Sequence, residues 1–358
     1  MRPRSLASVA LGACMVALYL ASSAFVALEW LDIGENDVRS INHFFGSRFV
    51  DMVDGRAYRP FVTRALVPGA IRLLRDTLPP RWQNAAQSAV VRTFHLRRRM
   101  AGLGWEPERT FEYLVFGAIT LVLFACVPFS VRATYRALFA SGEPWALLAP
   151  LPLLLIPLRA DMSSMYDPAT LALAALATWT AVAGRKQCFY VIYALAVLNK
   201  ETAFLLAGLF LVTRPNDWRK HVAPLAGTWL AARLWLAWAF RHNPGSTAWW
   251  IPTRNLARAL SDPWGAIEFA VALAVVAWSV WRWRSIRAIR LGVPLLVGVL
   301  VVAYLTVGVW GVYRIFLESL PLVWVSVYAA VMQRAGLVIA SRDKDWHEID
   351  GVVARAQA

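Results

Sequence analysis

The chain is poor in charged residues, which soluble proteins display over most of their surface. Only 16% of its 358 residues are charged, and lysine occurs just four times, at Lys186, Lys200, Lys220 and Lys344. Hydrophobic residues make up 59% of the sequence and the mean hydropathy is +0.50, which places it in the integral-membrane class. The net charge of +15 falls mostly in loops beside apolar runs, as the positive-inside bias requires, so it does not indicate nucleic-acid binding.

Cysteine is also scarce. Cys14, Cys126 and Cys188 all lie in apolar runs, and their spacing fits neither a zinc site nor a disulfide framework. The sequence contains no internal repeat and no segment large enough to bury a soluble core. We therefore expect an all-α, polytopic transmembrane bundle, with residues 1–335 as one transmembrane domain and residues 336–358 as a cytoplasmic tail.

Apolar runs of spanning length predict about ten membrane segments. The first, 6–30, is longer than a signal-peptide core, which favours an uncleaved span. Basic short loops place both termini in the cytoplasm and the long loop 31–110 outside. Amphipathic stretches at 61–74 and 82–103 of this loop predict two helices in the outer interface. The other full segments are expected at about 111–131, 144–158, 168–183, 222–240, 266–281, 291–313 and 315–332.

Two half-length apolar runs, 188–198 and 203–212, flank the cluster Asn199-Lys200-Glu201-Thr202. Because each run is too short to cross a bilayer, the pattern predicts a helical dip that turns at this cluster. The alternative is one long helix with Lys200 and Glu201 near its middle. Either arrangement buries a cation and an anion, which indicates a functional site unless the adjacent charges neutralise each other.

Three further clusters carry candidate chemistry on the side expected to be outside. Asp51 and Asp54 share a helical face and either act as a general base toward a hydroxyl or form a solvated turn. Asp167, before Pro168, either caps a helix or contributes to the site. Arg314 either pairs with Glu318 at i,i+4 or binds an anionic headgroup.

The layout of spans and loop, together with the clusters Tyr166-Asp167-Pro168, Asn199–Thr202 and Tyr313-Arg314…Glu318, resembles bacterial membrane glycosyltransferases of the GT-C superfamily over residues 5–335. Members use a lipid-phosphate-linked sugar as donor, an outer-loop aspartate to activate the acceptor, and basic residues to hold the phosphate. The loop has no adjacent acidic pair and no DxD motif. The choice of base and any divalent cation therefore stay open, and no other cofactor is implied.

The resemblance implies sugar transfer from a polyprenyl-phosphate donor at the outer face of the bacterial inner membrane, with membrane lipids as further partners. The alternative is a transporter or flippase of a lipid-linked or small anionic solute. An enzyme requires Asp51 or Asp54 near Arg314 and Lys200 in one outward cavity, whereas a transporter requires charges along a route between both faces. The candidate residues are Asp54, Asp51 and Asp167 for catalysis, and Arg314, Lys200, Glu201, Arg59, Tyr166 and Glu318 for substrate binding.

Overall fold

The computed structural model describes residues 6–32, 48–102, 104–140, 143–156, 164–245, 250–308, 312–337 and 340–341, and these residues are predominantly helical. The all-α prediction is confirmed. The α-helices in chain order are α1 (Leu6–Asp32), α2 (Phe49–Val53), α3 (Leu66–Thr77), α4 (Pro80–Arg92), α5 (Phe94–Gly102), α6 (Thr110–Leu138), α7 (Glu143–Leu148), α8 (Leu151–Leu155), α9 (Asp167–Val182), α10 (Lys186–Asn199), α11 (Phe204–Val212), α12 (Trp218–Ala239), α13 (Pro252–Ser261), α14 (Pro263–Arg282), α15 (Val293–Thr306) and α16 (Leu320–Arg334).

Short irregular elements join several of these helices. A π-helical turn, Ala288–Gly292, leads into α15, and two-residue strands β1 (Phe139–Ala140) and β2 (Ala340–Ser341) pair antiparallel. This pairing fastens residues 340–341 of the expected tail to the end of α6. Single 3-10 turns are Phe61–Thr63, Pro107–Arg109, Glu201–Ala203 and Tyr313–Phe316.

Four helical segments are long and apolar enough to cross a membrane, judged by length and composition. Their apolar surfaces mark the chain as a membrane protein. The segment expected at 144–158 is instead broken into α7 and α8 where Ala149 and Pro150 interrupt the helix, as proline within a helix does. The count of ten segments therefore stays a prediction. The four segments are Leu11–Leu31, Pro107–Leu138, Pro263–Arg282 and Ala288–Thr306.

The core is built around α9, in which 14 of 16 residues are buried. Its sequence alternates alanine and threonine with leucine, and small side chains let neighbouring helix backbones approach closely. Helices α6, α10, α11 and α16 all pack against it. The N-terminal end of α9 carries Tyr166 and Asp167, so the packing of this helix fixes where those two residues lie.

The two half-length runs form separate helices, α10 and α11, which pack as a hairpin; the return of this hairpin to one side of a membrane stays a prediction. Lys200 is extended, with φ −155° and ψ 144°, and separates the helices. Phe189 near the start of α10 stacks on Phe210 near the end of α11, with ring centroids 4.2 Å apart. The open end of the hairpin is closed by an ion pair of Lys186 with Asp217. The alternative of one continuous helix is wrong.

The long loop differs in detail from its prediction. The stretch 61–74 is not one helix, because the chain leaves helical geometry at Arg64, where φ is −90° and ψ is 67°. The stretch 82–103 divides at Thr93 into α4 and α5. The turn at Pro79 between α3 and α4 lies where the sequence places it. The break at Arg64 directs that side chain inward.

Candidate functional site

A cavity of about 250 Å³ lies at one end of the bundle, close to the lower limit of about 300 Å³ for small-molecule sites. It is formed by the loop before α3, the start of α9, the turn of the α10–α11 hairpin and the chain that follows α15. Both charged and apolar residues line it: Pro60, Phe61, Arg64, Tyr166, Asp167, Lys200, Glu201, Thr202, Ala303, Val307, Gly308, Val312, Arg314 and Ile315.

Asp167 is fully buried and lines this cavity. Its Oδ2 accepts a hydrogen bond of 3.0 Å from the Ser164 amide, so the carboxylate is oriented by the loop before α9. Its Oδ1 has no hydrogen-bond partner among the described residues. Such an atom is costly to bury, which makes Oδ1 a candidate contact for a molecule bound in the cavity. The expected helix-capping role is replaced by this contact with the preceding loop.

Arg314 faces Asp167, with its Nη1 3.9 Å from the Asp167 Oδ2. The same nitrogen donates to the hydroxyl of Ser164. Its side chain is 28% exposed, unlike the buried carboxylate beside it. This arrangement leaves a guanidinium at the mouth of the cavity, where it can donate hydrogen bonds to two oxygens of a phosphate.

Glu201 is paired with Arg64, not with its neighbour Lys200. The Arg64 guanidinium donates from Nη2 and Nε to the two oxygens of Glu201, at 2.7 and 3.3 Å. It also donates to the Tyr166 hydroxyl and stacks 4.3 Å from the centre of that ring. Arg64 thereby ties the long loop to both the hairpin turn and the start of α9.

Lys200 is paired with Glu318 across the cavity wall. Its Nζ lies 3.2 Å from one carboxylate oxygen and 3.3 Å from the other, and Thr202 donates a further hydrogen bond. The side chains of Lys200 and Glu318 are only 8% and 2% exposed. The expected i,i+4 pairing of Glu318 with Arg314 is thus replaced by a pairing with Lys200, and Arg314 faces the cavity.

Backbone groups at the hairpin turn are satisfied by remote parts of the chain. The Leu198 carbonyl accepts from the Ala65 amide at 3.0 Å, and the Val197 carbonyl accepts from Arg233. The Glu201 carbonyl accepts from the Trp229 indole at 3.0 Å. Buried backbone carbonyls require such partners. The turn is therefore a fixed wall of the cavity.

Asp54 lies outside the cavity lining, in an ion cluster that joins α2, α3 and α6. Arg56, Arg75 and Arg109 approach its carboxylate at 2.9, 3.0 and 2.7 Å. Arg75 and Arg109 also bind the buried Glu112. Burial alone would raise the pKa of Asp54, but the hydrogen bonds from Arg109 and Arg75 outweigh it and hold that pKa below its ordinary value. These contacts occupy both oxygens, so a free base is not available here.

Asp51 and Arg59 also lie outside the cavity lining. The Asp51 backbone carbonyl closes a turn by accepting from the amides of Arg56 and Ala57. Arg59 forms a backbone bridge to Gly245, and its amide donates to the Pro244 carbonyl at 2.8 Å. A Cβ at Gly245 would lie 2.6 Å from the Arg59 carbonyl, so only glycine fits there. The loop holding both residues is clamped by backbone contacts.

The structure therefore brings together six of the nine expected site residues: Asp167, Tyr166, Arg314, Lys200 and Glu201 line the cavity, and Glu318 binds Lys200. Arg64 is a site residue that the sequence does not identify, because the apolar spacing of 61–74 places it on the charged side of one amphipathic helix. The nearest local signal is Pro60, four residues before the point where the chain leaves helical geometry. Among the described residues, no cluster of acidic, histidine and cysteine side chains could hold a metal ion.

Fold and site together define a helical membrane protein with a charged cavity at one end, in which a buried carboxylate faces a guanidinium. No protein-family model, curated protein or solved structure matches the chain.

Proposed function

We propose that the protein transfers a sugar from a polyprenyl-phosphate-linked donor to an acceptor hydroxyl, at the outer face of a bacterial inner membrane, with both chain termini in the cytoplasm. The observation that carries this proposal is the pairing of a buried, partly unbonded carboxylate with an accessible guanidinium in one cavity. These are the two groups that glycosyl transfer from a lipid phosphate needs: a proton acceptor and a stabiliser of the departing phosphate.

The roles follow from what each side chain contacts. Asp167 accepts the proton of the acceptor hydroxyl on its Oδ1, because Oδ2 is held by the Ser164 amide. The acceptor oxygen forms a bond to the anomeric carbon as the bond from that carbon to the lipid phosphate breaks. The phosphate leaves with the bonding electron pair, and Arg314 stabilises its charge. The proton on Asp167 returns to water after product leaves.

Lys200 and Arg64 contribute positive potential, but each is paired with a glutamate, so Arg314 is the main phosphate ligand. Asp54 serves the fold and not the chemistry, because three arginines occupy its oxygens. The competing proposal of a transporter needs charges along a route between both faces. The charged lining residues instead all belong to one end of the bundle.

The test is the Asp167→Asn variant, with Asp76→Asn as the matched control because Asp76 is exposed and paired only locally with Arg75. Purified protein in nanodiscs is supplied with a panel of polyprenyl-phosphate monosaccharides and a membrane extract as the source of acceptor. Release of free polyprenyl phosphate is measured. Loss of a general base lowers such rates about 100- to 10,000-fold, and we expect that loss for Asp167→Asn.

The control variant should release polyprenyl phosphate at the wild-type rate. Arg314→Ala should raise the donor KM, since it removes the phosphate ligand. If the wild-type protein transfers none of the sugars but moves a labelled donor across the bilayer when reconstituted in proteoliposomes, the transporter alternative is correct. If Asp167→Asn retains full activity, Asp167 is not the base.

A further inference from the structure

Helix α13 is a short element beside the ends of two helices of spanning length. Its 10 residues extend for about 15 Å, about half the hydrocarbon thickness of a bilayer, so it does not cross one. The chain leaves helical geometry at Asp262, and α14 begins at the next residue. At the other end of α13, the Ile251 amide donates to the carbonyl of Thr306, the last residue of α15. Because α14 and α15 both have spanning length, α13 lies at the level of a membrane surface.

Three different faces run along α13. Leu256 and Leu260, which are 62% and 76% exposed, are four residues apart and share an apolar face. Arg254 and Arg258 are also four residues apart, and each lies about 160° around the helix from the leucine two positions later. The third face carries Asn255, which is buried. The helix therefore presents an apolar face and a basic face on roughly opposite sides, with the protein between them.

Two exposed tryptophans flank α13. Trp250 lies two residues before the helix begins and Trp264 three residues after it ends, and both are largely exposed. Tryptophan rings are enriched where a membrane meets water, because the ring is apolar and its N–H is polar. Together with the exposed leucines, these rings form an apolar surface that water would solvate poorly.

Asn255 joins α13 to the wall of the charged cavity. Its Nδ2 lies 3.1, 3.2 and 2.8 Å from the carbonyl oxygens of Tyr304, Leu305 and Gly308. Carbonyls at the end of a helix such as α15 need partners from outside that helix. Val307 and Gly308 line the cavity, so α13 lies at the cavity end of the bundle.

We infer that α13 lies in the membrane surface on the cavity side of the bundle, with Leu256 and Leu260 among the acyl chains and Arg254 and Arg258 at the phosphates of anionic phospholipids. Short helices with aliphatic and basic residues on different faces bind membranes in this way. The contact with lipid holds α13, and through Asn255 it holds one wall of the cavity. The inference depends neither on sugar transfer nor on which side of the membrane the cavity faces.

The test places the environment-sensitive fluorophore NBD on α13 of full-length protein in proteoliposomes of phosphatidylcholine and phosphatidylglycerol. In a cysteine-free background, Leu260→Cys carries the label on the apolar face. The matched control is Ser261→Cys, an exposed neighbour about 100° further around the helix. We expect nitroxide-labelled lipid to quench the label at position 260 more than the label at position 261. Iodide, present on both sides of the vesicles, should show the reverse order.

The charge of the lipid is tested by placing the nitroxide on either phosphatidylglycerol or phosphatidylcholine. We expect labelled phosphatidylglycerol to quench the Leu260→Cys label more strongly, because the arginines attract its phosphate. Arg254→Gln/Arg258→Gln should abolish this preference. Arg97→Gln/Arg98→Gln removes two exposed charges from α5 instead and should leave the preference intact.

The inference is overturned if iodide quenches positions 260 and 261 equally, because α13 would then lie in water. A label at position 260 that neither quencher reaches also overturns it, since a second copy of the chain would then cover the apolar face. If the preference for phosphatidylglycerol survives Arg254→Gln/Arg258→Gln, the assignment of the arginines to anionic lipid is wrong.

Discussion

At the scale of single residues, the charged pairs of this protein are decided by long-range contacts. Lys200 and Glu201 are neighbours, yet their partners are Glu318 and Arg64, which are 118 and 137 residues away. Lys200 is extended and Glu201 begins the turn that follows, so their side chains point in different directions. For this reason the sequence identifies which residues are important but not which of them pair.

Removing one partner of the Lys200–Glu318 pair should be strongly destabilising. Lys200→Met leaves the Glu318 carboxylate buried without a cation, which typically costs about 3–5 kcal/mol. The double variant Lys200→Met/Glu318→Gln leaves no charge behind and should recover part of that loss. Thermal unfolding of the purified variants in detergent provides the comparison. Equal stability of Lys200→Met and wild type would show that the pair contributes nothing.

Asp54 should affect stability and not the turnover of substrate. Asp54→Asn weakens hydrogen bonds from charged donors, so we expect a loss of about 1–3 kcal/mol at neutral pH. Because the folded protein holds the pKa of Asp54 below its ordinary value, the contribution is present above the unfolded pKa of about 3.9 and is lost as the pH falls through the folded value.

Unfolding midpoints of wild type and Asp54→Asn, measured at pH 7 and again at a pH below the folded pKa of Asp54, therefore converge at the acidic end. Release of polyprenyl phosphate by Asp54→Asn should match the wild type under conditions where both are folded. A rate loss as large as that expected for Asp167→Asn would return Asp54 to the position of general base.

At the scale of elements, the α10–α11 hairpin is the feature that sequence length and charge predict best. Each apolar run is too short to cross a bilayer, and basic residues stand at both far ends. The break in the stretch 61–74 was not predictable in the same way. Its apolar spacing fits a helix, and the contacts that draw Arg64 inward come from Glu201 and Tyr166, far along the chain.

We predict that the hairpin places its two far ends on one side of the membrane. In a cysteine-free background, Gln187→Cys and Asn216→Cys, both at exposed positions, should react with an impermeant maleimide from the same side. We expect labelling only after the membrane is permeabilised. Labelling of the two cysteines from opposite sides would mean that the chain crosses the membrane between them.

At the scale of the whole molecule, the sequence predicts the convergence of distant clusters but not the identity of the base. The charge frame puts Asp167, Arg314 and the hairpin turn on one side, and these do line one cavity. It also puts Asp54 on that side, but residues on the same side of the membrane need not lie close to one another. Arginines from α3 and from the turn before α6 surround Asp54. No local sequence pattern predicts this cluster.

Membrane topology is tested with two residues that the basic loops predict to lie on opposite sides of the membrane. Arg56, which is 66% exposed, and Ser285, also exposed, are replaced singly by cysteine. The basic loops predict that Arg56→Cys reacts from outside in intact cells and that Ser285→Cys reacts only from inside. The reverse pattern would invert the topology and move the cavity to the cytoplasmic face.

The pairing of Lys200 with Glu318 also sets an order of events during synthesis. Ribosomes add about 5–20 residues per second, so Lys200 leaves the ribosome on the order of 10 s before its partner, 118 residues later, has been made. Throughout that interval the Lys200 ammonium group is without the carboxylate that it contacts in the folded protein. We therefore expect the hairpin turn to reach its final packing only after residue 318 has been added.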